Sequence, residues 1–252
     1  MEHGLPTAIA DRLRPVRKYE LRASLFALAV VLVGIPFGLL LQQVTSNGRL
    51  TEADAWLAVH LNAHVRDHPL VITALQVVSF VGKPLFLLFS IGIPGVWLFV
   101  RGARKLALFL AVTSLLGGVI DTAVKVAVSR PRPDLDHPVA TAFGSSFPSG
   151  HSMQAVVCYG ALVLVFVPLL SRRQRIAAKV GVVALVLAIG IARLGLGVHF
   201  LTDVLGGYVL GGAWLAASAA AWETWREDRG QRPTAPLDEG IEPEERRVLQ
   251  EA

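Results

Sequence analysis

Charged residues are scarce in this chain. Asp, Glu, Lys and Arg account for 17% of the 252 residues, whereas hydrophobic residues account for 53%. A soluble fold cannot bury so large an apolar fraction, but a lipid bilayer accommodates it. The composition therefore excludes an ordinary soluble domain and predicts an integral membrane protein.

Cysteine is nearly absent. The single cysteine, Cys158, lies in the middle of an apolar run, and a lone cysteine excludes an intramolecular disulfide. The fold therefore does not depend on oxidation, and cysteine usage leaves the cellular compartment undecided.

A signal-peptide cleavage site is also lacking. The first apolar run, Ala23–Val44, is longer than the hydrophobic region of a signal peptide and has no convincing small-residue site, so we interpret it as a retained signal-anchor helix. The net charge of +5 does not indicate nucleic-acid binding, because the basic residues form short clusters between apolar runs, where membrane topology places them.

Long apolar runs are abundant. About 20 helical residues cross a hydrocarbon core of roughly 30 Å. Six runs reach this length and predict an all-α integral-membrane bundle of six transmembrane helices: Ala23–Val44, Leu70–Val100, Arg104–Val128, Gly150–Leu170, Arg175–Leu196 and Phe200–Trp222. The second run is overlong, and its Gly82-Lys83-Pro84 break predicts an interfacial piece before a spanning helix that starts near Leu85.

Lys and Arg are distributed unevenly between the two predicted sides. Six crossings leave both termini on one side, and 17 of the 24 Lys and Arg residues fall there. The positive-inside rule therefore predicts a multi-pass protein of the cell membrane with cytoplasmic termini. The remaining polar clusters then face the extracytoplasmic side.

The predicted organisation has three parts. A basic cytoplasmic N-terminus at 1–22 precedes a six-helix membrane domain at 23–222, and a charged cytoplasmic tail at 223–252 is expected to be disordered. Within the membrane domain, the amphipathic segment Leu50–His68 predicts a short extracytoplasmic helix that lies along the membrane surface.

Polar residues that membrane chains usually avoid form three clusters. They follow the third predicted helix, open the fourth, and join the fifth to the sixth, so the predicted topology brings all three to the outer face. The clusters are Lys125-Val-Ala-Val-Ser-Arg-Pro-Arg132-Pro133, Pro148-Ser149-Gly150-His151 and Arg193-Leu-Gly-Leu-Gly-Val-His199-Phe-Leu-Thr-Asp203.

These clusters provide what phosphoryl transfer requires. Its transition state spreads negative charge over equatorial oxygens, so fixed cationic donors matter most. Lys125, Arg132 and Arg193 supply three positive charges, two of them as planar forks. Ser149 and Gly150 lie where a helix begins, so backbone N–H groups and the helix dipole can receive an anion.

Two histidines fill the remaining roles. His199 stands four residues before Asp203, so a carboxylate can hold one ring nitrogen and leave the other free to attack phosphorus. His151 has no such neighbour in sequence and suits the general acid that protonates the leaving group. Asp121 lies four residues before Lys125 inside a predicted helix, and we expect it to orient that lysine.

The motifs K-x6-R-P, P-S-G-H and S-R-x5-H-x3-D, in this order, resemble the signature of the type 2 phosphatidic acid phosphatase superfamily, and the resemblance runs from about Ala23 to Trp222. That superfamily includes bacterial lipid phosphatases, undecaprenyl pyrophosphate phosphatases and the vanadium-dependent haloperoxidases. One position departs from the motif, since Ala192 stands where the family has serine, and we expect modest weakening from the lost hydroxyl.

The resemblance implies a phosphohistidine intermediate on His199, oriented by Asp203, with His151 as the acid and with no metal or other cofactor. It also implies a set of residues that hold the phosphate: Lys125, Arg132, Ser149, Gly150 and Arg193.

The leading prediction is a membrane phosphatase that hydrolyses a phosphomonoester or pyrophosphate of a lipid. Undecaprenyl pyrophosphate is favoured, because outward-facing recycling of such a carrier is a common task of bacterial relatives. Phosphatidic acid, phosphatidylglycerol phosphate and diacylglycerol pyrophosphate follow. The expected partners are the lipid substrate and the membrane, without nucleic acid, and the oligomeric state stays open.

Two alternative functions are weighed against this prediction. Vanadate-dependent halide oxidation is disfavoured by the six apolar spans, because those relatives are soluble. A non-catalytic protein that binds or transports lipid phosphates is disfavoured by the intact His151, His199 and Asp203.

Three features remain open in the sequence. His60, His64 and His68 have a spacing that can ligate zinc, although a solvated polar face is the simpler interpretation. Arg130 is either a headgroup contact or a solvated charge. Four glycines in the last predicted span favour close helix packing: Gly206, Gly207, Gly211 and Gly212.

Overall fold

The computed structural model describes residues 34–46 and 48–245, which form helices and loops without a strand. The first helix, α1, covers residues 34–45. The others are α2 (Arg49–Val65), α3 (Pro69–Phe80), α4 (Pro84–Val100), α5 (Arg104–Val128), α6 (Gly150–Phe166), α7 (Arg172–Gly195), α8 (Leu201–Asp228) and α9 (Pro236–Glu239). A short 3-10 turn at Val167–Leu169 follows α6, and another at Pro243–Glu245 follows α9.

Four helices, α5 to α8, are long and apolar enough to cross a membrane, counting the turn after α6 with that helix. The α3–α4 pair, bent by 42°, provides a fifth candidate, and its bend falls at the predicted Gly82–Pro84 break. The described residues thus contain four or five candidate spans and not six. The first predicted span, Ala23–Val44, begins outside the described residues, and the whole of the predicted N-terminal part at 1–22 lies outside them.

The central helix of the bundle is α6. It packs against α8, α5, α7 and α4, and 56% of its span is buried, compared with 22% for each of the other three long helices. Glycines on α8 allow this close approach: a Cβ on Gly207 or Gly211 would lie 2.7 Å from the carbonyl oxygen of Ser149 or Met153 on the α6 side. Gly212 faces open space and takes no part in the contact.

Helix α2 packs against α3, α7 and α8. Its position matches the predicted amphipathic segment, but its buried face is unusually polar, since Asp54 and Asn62 share it with Ala58 and Val65. The opposite face exposes Trp56 and other apolar side chains. A carboxylate on the inner face of a helix requires partners inside the protein.

The C-terminal segment differs from the prediction of disorder. Helix α8 continues six residues past Trp222, and residues 236–245 fold back onto the bundle. Ile241 is fully buried and its N–H donates to the carbonyl of Leu164 at 3.1 Å. The disorder predicted for 223–252 therefore does not hold for residues 223–245, because their charges pair with one another and with the bundle. Residues 246–252 lie outside the described part of the chain.

Candidate active site

His199 lies in the short connection between α7 and α8 and is 2% exposed. Its Nδ1 is 3.4 Å from Oδ2 of Asp203 and 3.4 Å from Oγ of Ser146. Its Nε2 is 3.2 Å from Nη1 of Arg132. Because a guanidinium only donates, Nε2 must accept and the ring proton belongs on Nδ1, facing the carboxylate. The nitrogen that keeps its lone pair is thus directed at a positive charge.

The carboxylate of Asp203 is fully buried and fully hydrogen-bonded. Oδ2 receives the N–H of Phe200 at 2.8 Å and the hydroxyl of Ser146, in addition to its contact with His199. Oδ1 receives Nη1 of Arg130 at 2.6 Å. This many donors keep the carboxylate ionised and fixed in one orientation.

Arg130 is buried, which excludes both interpretations that the sequence left open for it. Its guanidinium lies between two carboxylates, with Nη1 near Asp203 and Nη2 2.9 Å from Oδ2 of Asp54 on α2. Nη1 also donates to Oγ1 of Thr202 at 2.7 Å, and the guanidinium carbon lies 4.2 Å from the centre of the Phe200 ring. Arg130 therefore belongs to the support of the site and not to its solvated rim.

Arg132 is held by the loop between α5 and α6. Its Nε donates to the carbonyl of Gly144 at 3.1 Å, and Nη2 donates to those of Phe143 and Ser145 at 3.0 and 3.3 Å. Nη1 donates to the carbonyl of Val198 at 2.7 Å. These carbonyls hold the planar fork against Nε2 of His199, where an anion next to that nitrogen would meet it.

A second cationic group forms around the start of α6. Nζ of Lys125 donates to Oδ1 of Asp121 at 2.5 Å and to the carbonyl of Pro148 at 2.8 Å. Gly150 leaves room for this pair, since a Cβ there would lie 2.9 Å from both Nζ of Lys125 and Oδ2 of Asp121. The structure therefore places Asp121 in the contact that its spacing predicted.

Ser149 joins the two groups, but not in the predicted manner. It is fully buried at the N-cap of α6, and its N–H donates to the carbonyl of Asp203 at 2.9 Å. That N–H is therefore already used within the protein and does not point at an anion. The prediction of an anion-binding helix start must fall on the following N–H groups, from Gly150 onward, which an α-helix leaves without internal partners.

His151 and Arg193 border the site without direct hydrogen bonds to the other predicted residues. Nε2 of His151 is buried and has no hydrogen-bond partner among the described residues. Nη1 of Arg193 donates to Oγ of Ser79, at the end of α3, at 2.8 Å, while its Nε has no partner in the same part of the chain. Donors that the protein leaves unpaired inside a polar cluster are available to a ligand.

Comparison with known proteins places this arrangement in a family. The family model described as the PAP2 superfamily matches residues 104–227. A crystal structure titled as the first transmembrane PAP2 type phosphatidylglycerolphosphate phosphatase, from Bacillus subtilis, superposes with a TM-score of 0.70 at 26% identity, covering 80% of this chain and 97% of that one.

The chain belongs to the PAP2 superfamily.

Three curated relatives are phosphatases named for three different lipids. Phosphatidylglycerophosphatase B of Bacillus subtilis is 35% identical over 53% of this chain and 66% of its own length, just under two thirds. Undecaprenyl-diphosphatase BcrC of the same organism is 28% identical over 61% of this chain and 75% of its own. Lipid A 1-phosphatase of Rhizobium etli is 31% identical over 41% of this chain and 45% of its own length.

The protonation state of His199 in this PAP2 site follows from its surroundings. Burial lowers the pKa of His199 from 6.5 to about 4. The hydrogen bond and negative charge of Asp203 oppose this shift, whereas the positive charges of Arg193 and Arg132 add to it. The imidazole is therefore neutral near pH 7, as a nucleophile must be.

Sequence reasoning missed several residues of the PAP2 site. Asp54 is the most remote of them, and its only signal in the sequence is a carboxylate at helical spacing from Ala58 and Asn62 on one face of α2. The others approach the predicted residues from loops or helix ends whose positions depend on the tertiary fold: Ser79, Ser146 and Thr202. Ala192, at the departing motif position, is fully buried.

The three histidines near α2 are not arranged as a metal site. Helix α2 ends at Val65, so His68 is displaced from the helical spacing, and the ring nitrogens of His60 and His64 contact backbone carbonyls of α2 at 2.7 and 3.0 Å. Within residues 34–46 and 48–245, no group of three His, Cys, Asp or Glu side chains is arranged to hold a metal ion.

Proposed function

We propose that this PAP2 protein is a lipid phosphatase whose nucleophile is Nε2 of His199. The observation that carries the proposal is the orientation of that imidazole. Its Nδ1 faces the buried carboxylate of Asp203, and its Nε2 faces the guanidinium of Arg132. A neutral imidazole held in this way can attack phosphorus while the cation beside it neutralises charge on the phosphoryl oxygens.

The proposed reaction has two steps. In the first, Nε2 of His199 forms a bond to phosphorus, the bond from phosphorus to the lipid oxygen breaks, and protonated His151 gives its proton to that oxygen. In the second, water attacks the phosphohistidine, His151 takes a proton from it, and phosphate leaves as the nitrogen–phosphorus bond breaks. Proton return to His151 makes the two steps a cycle.

The phosphate oxygens need donors that the protein already holds in place. Arg132, Arg193 and Lys125 provide the positive charge, and the free N–H groups at the start of α6, from Gly150 onward, provide backbone donors. The hydroxyl of Ser149 is a further candidate. Asp121 orients Lys125 through their ion pair.

The identity of the lipid is tested with a panel. Phosphatidylglycerophosphate comes first, because the relative with 35% identity and the superposed crystal structure both carry that name. Undecaprenyl diphosphate, favoured by the sequence interpretation, comes second and has the support of the 28% identical relative. Phosphatidic acid, diacylglycerol pyrophosphate and lipid A phosphate complete the panel.

The membrane orientation is also a proposal. The candidate site lies at the ends of α5 and α7 and the starts of α6 and α8, and most Lys and Arg residues of the connections lie at the opposite ends. The positive-inside rule then supports an extracytoplasmic site with cytoplasmic termini. Cysteine labelling from outside intact cells, at a residue introduced in the outer loop, tests this orientation.

Phosphate release by purified protein in detergent tests the function. We expect release from at least one lipid of the panel, undiminished by excess EDTA, and loss of about three orders of magnitude or more in His199→Ala. His60→Ala, which removes an exposed histidine of α2, is the matched control and should retain full activity.

Rapid acid-free quenching with a 32P-labelled lipid tests the intermediate. We expect acid-labile label on the wild-type protein and none on His199→Ala. Full activity of His199→Ala would reject the nucleophile. Lipid binding without turnover would favour the non-catalytic alternative, and halide oxidation on addition of vanadate would favour the haloperoxidase alternative.

A further inference from the structure

Asp54 joins a helix outside the three motifs to the centre of the candidate site. It lies on the inner face of α2, is 3% exposed, and is 149 positions before Asp203 in the sequence. Its Oδ2 receives Nη2 of Arg130 at 2.9 Å, and its Oδ1 receives the backbone N–H of Thr202 at 3.1 Å. The hydroxyl of Thr202 also donates to it.

Asp54, Arg130 and Asp203 form a charged triad closed to solvent. The side chain of Arg130 is 5% exposed and the two carboxylates are 2% and 0% exposed. One guanidinium nitrogen serves each carboxylate, so Arg130 cannot turn fully toward either. The triad holds two negative charges against one positive charge. Neutralising Asp54 therefore frees Arg130 to turn toward Asp203, whereas neutralising Arg130 leaves two buried carboxylates without their shared cation.

The triad contacts one carboxylate oxygen of Asp203 and leaves the other oxygen to His199. Arg130 occupies Oδ1, while Oδ2 faces Nδ1 of His199. Asp54 also binds the first turn of α8 through Thr202, the residue adjacent to Asp203. It therefore fixes both the cation that holds Asp203 and the backbone that carries Asp203.

We propose that Asp54 is a positioning residue for His199, acting through Arg130 and Thr202 on Asp203. Helix α2 thereby becomes part of the working site, although within the described part of the chain its side chains form no hydrogen bond with the residues proposed to hold the phosphate. This inference rests on the proposed function for its effect on turnover, but its effect on the imidazole of His199 is independent of that function.

Kinetics of Asp54→Asn, Arg130→Gln and the double variant test the proposal. Asn keeps the shape of Asp54 and removes the charge. We expect kcat to fall about 10- to 100-fold, the range typical of groups that orient a histidine from behind. KM should change less than threefold, because no phosphate contact is removed. The double variant should be no worse than the worse single variant, because it removes both members of one ion pair.

Asn62→Ala is the matched control. Asn62 lies two turns further along the same buried face of α2, but its amide donates to the carbonyl of His137 at 3.0 Å and it does not contact Arg130. This variant disturbs the docking of α2 on the outer loop and leaves the triad intact. We expect its kcat to stay within threefold of wild type.

NMR of 15N-labelled histidine in detergent provides a readout that needs no turnover. The signals of His199 are identified by their loss in His199→Gln. In Asp54→Asn, and in the double variant if the single one fails to fold, we expect a change in the Nδ1–H signal of His199, while Asn62→Ala leaves it unchanged.

Two results would overturn the role of Asp54. One is an unaltered His199 signal together with unaltered kcat in Asp54→Asn. The other is a double variant whose loss equals the product of the two single losses, as independent structural damage predicts. If the wild-type protein has no phosphatase activity but Asp54→Asn still shows the expected NMR change, the proposed function is rejected and the positioning role is retained.

Discussion

The nucleophilic nitrogen proposed for His199 is protected from protonation by the burial of its own ring. Burial lowers the pKa of this imidazole to about 4, in spite of the carboxylate beside it. Asp203 therefore serves to orient the ring and to stabilise the charge that develops on it during attack.

Titration of His199 should show this directly. We expect its 15N signals to remain those of a neutral ring from pH 8 to pH 5 and to change only near pH 4. The acid limb of kcat/KM should contain no step near pH 6.5 that belongs to the enzyme. A His199 midpoint between pH 6 and 7 would contradict the assignment.

The same pKa has a consequence for stability. Because the folded value lies below the unfolded value of 6.5, the unfolded chain binds a proton between pH 6.5 and 4 that the folded chain does not. The contribution of His199 to stability therefore falls as the pH is lowered through this window, and it is constant above pH 6.5.

At the scale of elements, the contact between α6 and α8 decides where the motifs meet. Helix α6 carries His151, α8 begins just after His199, and the two backbones approach closely along Gly207 and Gly211. A side chain at either position would separate the helices just below the site.

Substitution of Gly211 and Gly212 by alanine tests this contact. In Gly211→Ala the new Cβ would lie 2.7 Å from the carbonyl oxygen of Met153, so we expect a loss of about 1–3 kcal/mol in stability. Gly212→Ala meets nothing within 4 Å and should gain about 0.5–1 kcal/mol from helix propensity.

The melting temperature can be followed with a thiol-reactive dye, because the one cysteine, Cys158, is buried in α6. About 2–4 °C per kcal/mol is expected for a chain of this size. Equal shifts in Gly211→Ala and Gly212→Ala would show that the close approach carries no stability.

The motif residues of the site could be predicted from the sequence better than the residues that hold them in place. Residues four positions apart in a motif lie close together at a helix. The contacts of His199 with Asp203 and of Asp121 with Lys125 could therefore be predicted from the sequence. Arg130 could not be assigned, because its partner Asp54 approaches from another helix and only the tertiary fold brings the two together.

Two further features escaped prediction for the same reason. The use of the Ser149 N–H by the carbonyl of Asp203 depends on how α8 meets α6. The order of residues 236–245 depends on ion pairs with α5 and α8, which a local composition rich in charge and proline does not reveal.

At the scale of the whole molecule, an ion-pair cluster closes the end of the bundle opposite the site. Arg226 on α8 is fully buried and pairs with Glu242 and Glu244, at 3.4 and 2.7 Å. Glu242 also receives Nε1 of Trp222 at 3.1 Å and lies 3.4 Å from Nζ of Lys105 on α5. The C-terminal segment thus connects two of the long helices.

Neutralising Glu242 should weaken the whole fold without altering the chemistry. We expect Glu242→Gln to lose about 1–3 kcal/mol, because the buried carboxylate of Glu242 is shared by Arg226 and Lys105. Arg226 keeps Glu244 and Glu223 in this variant, so the loss should stay within that range. Glu239→Gln, which breaks an exposed pair with Arg232, is the control and should lose no more than about 1 kcal/mol.

Melting temperature and kcat of the folded fraction are the measurements for this pair. We expect the two variants to share the wild-type kcat, since neither glutamate lies near His199. A fall in kcat with an unchanged melting temperature would contradict a purely structural role for the C-terminal segment.

Glu245 accepts the backbone N–H groups of Lys105 and Leu106, at 3.4 and 3.3 Å, and so completes the first turn of α5. The two ends of this contact are separated by about 140 positions of the chain. At about 5–20 residues per second, a ribosome needs roughly 7–28 s to reach the glutamate after it has made the helix start. Throughout that interval the start of α5 lacks the carboxylate that accepts its N–H groups in the folded protein, and Arg226 is made only shortly before its partners Glu242 and Glu244, so this end of the bundle is completed last during synthesis.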